Sequence, residues 1–386
     1  MRIGIEERRA RLGIRHRLAV TASTPVEAAR SVVALHSTDP ASVFLSVYAR
    51  TALVEVTAIE RALYEERSLI RMLGMRRTMF VVPTELAPVI QAGCTDAIAQ
   101  LQRRTYTKLL TEGGAGDGGW LKDVEDATAL ALEARGEATG AQLSADEPRL
   151  RTQVQVAEGK SYGRPQNITT WVLFMLAAEG RIVRGRPRGA WTSSQYHWSP
   201  IDVWLPGGIA EIPAEAARAE LVRQWLAAFG PGTIADLRWW TGWTAGHVKR
   251  ALTAIRPVEV DLGGAIGLVL PSDLEPAAEP EPWIALLPAL DPTPMGWSER
   301  SWYLGPHAWA LFDRSGNVGP SVWSDGRIVG GWAQRPDGEV VYRLLEDVGS
   351  DTAAAVDAAA GRLTGWIGTV RVTPRFRTPL ERELTA

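Results

Sequence analysis

Cysteine is almost missing from this chain: Cys94 stands alone among 386 residues. One thiol can form neither an intrachain disulfide nor a cysteine-based metal cluster, and in an apolar helix it reads as a small core residue. Long apolar runs are missing too. The longest, around Trp171 to Ala178, falls far short of the ~20 residues that cross a bilayer, so no membrane span is expected. The opening MRIGIEERRARLGIRHRLAV mixes acids and bases and lacks the apolar centre of a secretory signal, which leads us to expect a cytoplasmic protein. Lysine is scarce, 4 residues against 38 arginines. High-GC coding accounts for such a bias, and arginine is also the better fork for phosphate and guanine edges. A net charge of −2 excludes a generic polycation, although a whole-chain sum hides local charge. HExxH, Walker A, GxSxG with a plausible triad and GxGxxG after a strand are all absent. The histidines, His16, His36, His197, His247 and His307, have no metal-ligand spacing. No metal site and no cofactor are expected.

What is present is a globular composition, 46% hydrophobic and 22% charged, long enough at ~150 residues per domain for two or three domains. Sixteen tryptophans need burial, and most should be core anchors. Thr24-Pro25-Val26-Glu27 is a capping box with proline at the first helical position, predicting a helix to about Leu35. Asp39-Pro40 starts another. His36-Ser37-Thr38 is then a tight turn between two helices. A third helix should begin at Thr57, capped with Glu60, and LIRMLGMRRTMFVVP alternates around Gly74 as a two-stranded ribbon. Helices followed by a hairpin make a winged helix.

That order recurs. Thr139 to Ser144 is a short helix, Ile168 to Glu179 a longer one closed by Gly180, and RIVRGRPRGAW a basic hairpin. Glu215 to Phe229, Thr233 to Trp240 and Thr244 to Ile255 are three helices, the last two joined by Thr241-Gly242-Trp243 as in a helix-turn-helix, with VEVDLGGAIGLVL as their hairpin. Gly113 to Gly119 is a linker. SDLEPAAEPEP, beyond Pro271, is an exposed acidic connector, followed by short strands to Arg343, a helix from Thr352 to Leu363, a last strand and a polar tail.

The arginines of the second hairpin, Arg184, Arg186 and Arg188 among them, have no acid between them and would lie along a phosphate backbone if this is a DNA-binding wing; the alternative is a solvated loop. Arg76 and Arg77 form a smaller basic pair in the first hairpin, and Lys249 and Arg250 lie on the recognition-helix candidate, each either binding DNA or simply solvated.

Four segments then resemble those of the AlkZ/YcaQ-type winged-helix DNA glycosylases. ALHSTDP at Ala34 to Pro40 is similar to the family's LQAQDP-like stretch. RRTMFVVP is similar to its RGTLHLV hairpin, and GPGTIADLRWWTGW to its GPAT..D...WTG segment. LLPALDP…ERSWYL…DGRIVGGW is similar to its C-terminal LLP.FD…R…DGR..G.W block. The resemblance covers roughly residues 20 to 345 and implies excision of N7-alkylated purines and unhooking of crosslinks. The family's catalytic signature is Gln-x-Gln or Gln-x-Asp; here His36 and Thr38 stand at those positions with Ser37 between them. A neutral histidine can accept a hydrogen bond or act as base, and threonine can position water. A protonated histidine would oppose the cationic, oxocarbenium-like sugar of the transition state. The other reading is that His36 and Thr38 only cap helix ends. Asp39 reads as an N-cap. The resemblance also marks Asp291, which either faces the DNA cavity or satisfies a turn before Pro292, and Arg300, either a phosphate contact or a surface ion pair.

The expectation is therefore an α+β fold in which three tandem winged helix-turn-helix units (1–110, 111–205 and 206–271) form a C-shaped DNA-binding scaffold with a β-rich C-terminal part, 272–386. The expected function is that of a monomeric, cofactor-free, monofunctional glycosylase. Its partner is double-stranded DNA carrying N7-alkylated guanine, a bulky natural-product adduct or a crosslink, in an antibiotic self-resistance role. The alternative is a non-catalytic winged-helix regulator or lesion sensor.

Overall fold

Caps written into the sequence start many of the helices in the computed structural model, which describes residues 1–156 and 164–386. Helix α1 (Ile5–Arg15) opens the chain. Thr24 then caps α2 (Pro25–Ser31) by accepting from the Glu27 N–H, with proline at its first position. The helix stops earlier than its periodicity predicts: Val33 takes a positive φ of 64°, and Leu35–His36 becomes a short strand, β1. Helix α3 (Pro40–Tyr48) follows, capped by Asp39. Helix α4 (Val56–Glu60) begins after Glu55 and not at a Thr57 cap, and a π-helical turn, Arg61–Glu65, continues it. Strands β2 (Leu69–Gly74) and β3 (Thr78–Pro83) form the first hairpin. Its turn is Met75–Arg77, one residue past Gly74, with Arg76 and Arg77 both at positive φ.

Helices α5 (Ala87–Ile90) and α6 (Asp96–Glu112) lead to α7 (Gly118–Arg135), which Asp117 caps at the end of the glycine-rich link. Thr139 and Gln142 form a capping box on α8 (Gly140–Asp146). Strands β4 (Gln153–Val156) and β5 (Arg164–Asn167), helix α9 (Thr169–Ala178), and the hairpin β6 (Ile182–Pro187) and β7 (Tyr196–Pro200) complete the middle of the chain. Then come α10 (Ala214–Phe229), α11 (Ile234–Thr241) and α12 (Ala245–Ile255), with the hairpin β8 (Val258–Asp261) and β9 (Ile266–Val269).

One pairing recurs in these three stretches. Between the first and second helix a short extended segment bonds to the second strand of the hairpin: Leu35 opposite Val81 and His36 opposite Phe80, Ala138 opposite Trp198, and Gly232 opposite Leu268. Backbone groups in those linkers are thereby satisfied.

The C-terminal part is a four-stranded antiparallel sheet in the order β10-β11-β12-β13. Its strands are β10 (Ile284–Leu287), β11 (Ser321–Ser324), β12 (Arg327–Gln334) and β13 (Val340–Leu344), with α13 (Ser301–Leu304) and α14 (Ala308–Leu311) between the first two. Helix α15 (Ser350–Ile367) follows. The expected last strand is not formed: residues 370–378 run irregularly into helix α16 (Pro379–Leu384).

One core joins the first and third helical stretches to the C-terminal sheet, while α6, α7 and α9 build a second around Leu110, Leu132, Trp171 and Leu176. Aromatic rings in close contact, Phe229–Trp297 at 5.2 Å, Trp297–Trp302 at 5.0 Å and Tyr303–Trp323 at 5.4 Å, tie α10 to the C-terminal part. Eleven of the sixteen tryptophans are buried and four half-buried, and Trp309 is exposed at 68%. The fold is α+β, and no helix among the described residues is long and apolar enough to cross a membrane.

Candidate active site

The His36-Ser37-Thr38 triplet leaves the edge of the three-stranded sheet β1-β3-β2 and enters α3. Its backbone is fixed on both sides. The Ser37 N–H donates to the Met79 carbonyl at 2.9 Å, and Asp39 Oδ1 accepts the Ala41 N–H at 3.1 Å. The other Asp39 oxygen accepts the Arg375 N–H at 3.0 Å, and the Arg375 guanidinium reaches the Thr38 carbonyl at 3.4 Å. Asp39 thus acts as an N-cap held by the C-terminal segment, and burial raises its carboxyl despite those bonds.

Helix α3 is itself bolted down. Ser42 Oγ donates to the Ala289 carbonyl at 2.6 Å. Ser46 Oγ donates to Asp291 at 2.7 Å, and Arg50 forms a fork to both Asp291 oxygens at 2.7 and 2.8 Å. Arg50 also donates to Thr293 Oγ1, which lies 2.9 Å from Nδ1 of the buried His16, while His16 Nε2 faces the Ala228 carbonyl at 3.1 Å. Arg50 and Asp291 are both 0% exposed. Of the two readings of Asp291, the structure shows the turn at Pro292, where its Oδ1 accepts the Thr293 N–H at 2.9 Å, and not a face on the DNA cavity. Burial by itself would raise its carboxyl, but Arg50, Ser46 and the Thr293 N–H hold it below the usual range. It faces the α3 network and no cavity.

His36 is 9% exposed, its ring edge-on to Phe80 at 5.5 Å. Burial, and then the nearby Arg76 charge, push its pKa down to about 3. The ring is therefore neutral at physiological pH. The Thr38 N–H lies 3.5 Å from its Nδ1, a weak contact at the long limit of hydrogen bonding. Ser37 Oγ is buried with no hydrogen-bond partner among the described residues.

Ser37 and Thr38 open onto a cleft of about 470 Å³ whose other walls are Thr139, Gly140, Arg184, Arg188, Ser194, Gln195, Tyr196, Trp198 and Arg375. Ser37, Thr38 and two arginines of the second hairpin, nearly 150 residues apart in sequence, therefore share one cleft. Arg188 is exposed there. Arg184 is half-buried over Trp198 at 5.2 Å, and burial and then the Arg71 charge lower its pKa. Arg186 points elsewhere: it pairs with Glu60 at 2.9 Å and Glu65 at 3.2 Å and lies over Tyr64 at 5.0 Å.

The tip of the first hairpin does not project as a free wing. Arg76 lies over Trp239 of α11 at 4.2 Å and Arg77 over Phe174 of α9 at 5.2 Å. Arg300 takes another position on Trp239 at 4.8 Å and donates to the Trp297 carbonyl at 3.1 Å. At Gly242, φ 73°, an added Cβ would come within 2.9 Å of the Arg76 side chain, so the α11–α12 turn is closed by a residue that must be small as well as left-handed. On α12, Lys249 is exposed, whereas Arg250 pairs with Glu215 at 3.2 Å.

Two residues of the cleft and one buried charge beside it went unread in the sequence. Arg375 lies in an unpatterned tail and Tyr196 at a strand start. Arg71, a charge inside the apolar run LIRMLG, was detectable as an anomaly of alternation.

A family model described as DNA glycosylase AlkZ-like matches residues 29–366. No curated protein matches the chain. Among solved structures, the DNA glycosylase AlkZ of Streptomyces sahachiroi superposes with a TM-score of 0.74 at 20% identity, over 95% of this chain and 98% of that one, a likeness of fold. With the family match spanning most of its length, the chain belongs to the AlkZ-like DNA glycosylase family.

Proposed function

We propose that the protein is a monofunctional DNA glycosylase that hydrolyses the N-glycosidic bond of N7-alkylated guanine, with bulky natural-product adducts or crosslinks as its preferred lesions. The cleft that brings Ser37 and Thr38, with His36 buried next to them in sequence, together with Arg184, Arg188 and Arg375 is the observation that carries this reading. In the same reading the three helix–strand–helix–helix–hairpin stretches are winged-helix units, 1–110, 111–205 and 206–271, arranged as a C-shaped scaffold for duplex DNA with a C-terminal domain, 272–386. The protein works as a monomer.

Alkylation at N7 makes the purine a cationic leaving group, so bond breaking needs neither a strong general acid nor a cofactor. What it needs is tolerance of positive charge on the sugar and a placed water. A neutral His36 meets the first requirement. Buried, and with Nδ1 turned to the Thr38 N–H, His36 shapes the turn and does not serve as the base. Water positioning then falls to Thr38, a half-buried residue of the cleft wall. Such a cleft, open to solvent, suits lesions that a crosslink prevents from flipping out of the duplex. Removing a toxic adduct from guanine would protect a cell that makes or meets DNA-alkylating antibiotics.

The test is incubation with duplexes bearing defined small and bulky N7-guanine adducts, following free base by mass spectrometry and abasic sites by alkaline cleavage. Release establishes the activity, and the preferred adduct gives the substrate class. Tight binding to modified duplex with no release would replace this proposal with a lesion sensor. The double substitution His36→Ala, Thr38→Ala should abolish release while DNA affinity is retained; undiminished release would remove the triplet from the mechanism.

A further inference from the structure

Arg71 is the least provided-for charge among the described residues. It sits on β2 between Ile70 and Met72, opposite Val81, and is 4% exposed. Its Nε, Nη1 and Nη2 are all buried, and none has a hydrogen-bond partner among the described residues. An ionised guanidinium in that condition is among the costliest groups a core can hold. Its partner is a π face: the Tyr196 ring lies 4.4 Å from the guanidinium carbon.

Tyr196 is shared. Arg184 approaches the same ring at 5.7 Å and the Trp198 ring at 5.2 Å, so cations and rings alternate in the order Arg71, Tyr196, Arg184, Trp198. The Tyr196 hydroxyl is also buried without a partner among the described residues, as is that of Tyr64. Burial pushes the Tyr196 phenol up, while the Arg71 and Arg184 charges act against that rise. The neighbouring acids are engaged elsewhere. Glu60 and Glu65 are held by Arg186, and Asp39 by the N–H groups of Ala41 and Arg375.

We propose that Arg71 and Arg184, with the Tyr196 ring between them, form an anion subsite beneath the cleft that takes one phosphodiester of the target strand. Two neighbouring guanidiniums and a phenol hydroxyl, all short of acceptors, match a group with two anionic oxygens on one centre. Arg184 meets that anion from the cleft wall, and Arg71 from behind the tyrosine once the ring turns aside. The subsite rests on the glycosylase reading only for the origin of the phosphodiester. It also resolves a conflict in that reading, because Arg184, Arg188 and Arg375 alone would oppose a cationic sugar held beside Thr38. A phosphodiester seated among them reverses the sign of the local field.

The experiment measures affinity and needs no base release. Duplexes carrying a tetrahydrofuran abasic analogue are prepared with each phosphate near the lesion replaced, one at a time, by a neutral methylphosphonate. Their binding to the full chain and to Arg71→Met is read by fluorescence anisotropy. We expect one methylphosphonate to weaken wild-type binding about ten- to hundredfold, the range for a charged hydrogen-bonded contact. Arg71→Met should lose a similar factor on unmodified backbone, show no further loss at that phosphate, and lower the slope of log K against log salt by about one. Additive losses would overturn the assignment, as would an Arg71→Met protein that binds every duplex like wild type. If Arg71→Met weakens only duplexes whose adduct bears a carboxylate, the anion comes from the lesion and the phosphodiester assignment fails. The melting temperature of Arg71→Met should equal or exceed that of wild type; a marked fall would show that the guanidinium belongs to the core and overturn the subsite. Failure of wild type to release base, with these affinities as expected, would remove the glycosylase reading and leave the subsite standing.

Discussion

His36 has a consequence for pH that can be worked out at the level of one side chain. Folded, its pKa lies at about 3, and that of the buried His16 also falls to about 3, in both cases through burial first. In the unfolded chain both revert to about 6.5. Below pH 6.5 the unfolded state therefore takes up protons that the folded state refuses, so this contribution to stability is fully present above pH 6.5 and is lost as pH falls toward 3. The loss is ~1.4 kcal/mol per pH unit for each histidine across that window. Denaturant titrations of wild type and His36→Gln between pH 4 and 7 should diverge with the slope of one proton; parallel curves would mean that His36 is protonated in the fold. Catalysis has the opposite signature. Because His36 does not titrate near neutrality, base release should show no limb at pH 6 to 7 that His36→Gln removes. Thr38→Ala should slow release about 10²- to 10³-fold, the usual effect of losing one polar group aimed at a transition state, as read in single-turnover assays.

Helix α3 shows how an element can be positioned by contacts that its own sequence does not announce. Its start was legible in Asp39-Pro40, as were the Thr24 cap and the helix starts at Thr139, Thr233 and Thr244, because helix initiation is settled within four residues; the cap expected at Thr57 was not formed. Hairpins after helices were legible for the same reason. The two-residue strand at Leu35–His36 was not, since it exists only by pairing with β3 more than 40 residues away. Nor was the fate of Asp291, whose partner Arg50 lies 241 positions earlier, or the irregular run into α16, where a strand was expected. The triplet was legible as a position and its surroundings were not, for its cleft is assembled from three distant parts of the chain. The Arg50–Asp291 pair gives a direct test of what orients α3. Asp291→Ala leaves a guanidinium buried at 0% exposure without its counter-charge, which should cost about 3–5 kcal/mol. Arg50→Met combined with Asp291→Leu should recover much of that loss. Equal destabilisation by the single and double variants, in urea titrations, would show that the pair is worth more than its charges.

Over the whole molecule the arginines separate into those that face the cleft and those that staple elements together, although sequence alone groups them. Arg188, exposed at the cleft, and Arg186, tied to Glu60 and Glu65, differ by two positions and should differ in effect. Arg188→Ala should reduce the salt slope of DNA binding by about one counterion. Arg186→Ala should leave that slope unchanged and lower the melting temperature instead; the reverse pattern would reassign both. The contact between Arg375 and the Asp39 cap extends this division to the end of the chain. A protein cut after Gly368 would keep every helix-and-hairpin stretch and every family motif, yet lose the N–H that braces the turn before α3. Tail-clipped material, from a protease or from cloning designed on motif boundaries, would lose that brace together with Val372, Leu380 and Leu384 of the main core, and should melt lower as well as release base poorly. In the proposed reading the last segment supports the site, and an activity assay on trimmed protein would mistake a missing brace for a missing function.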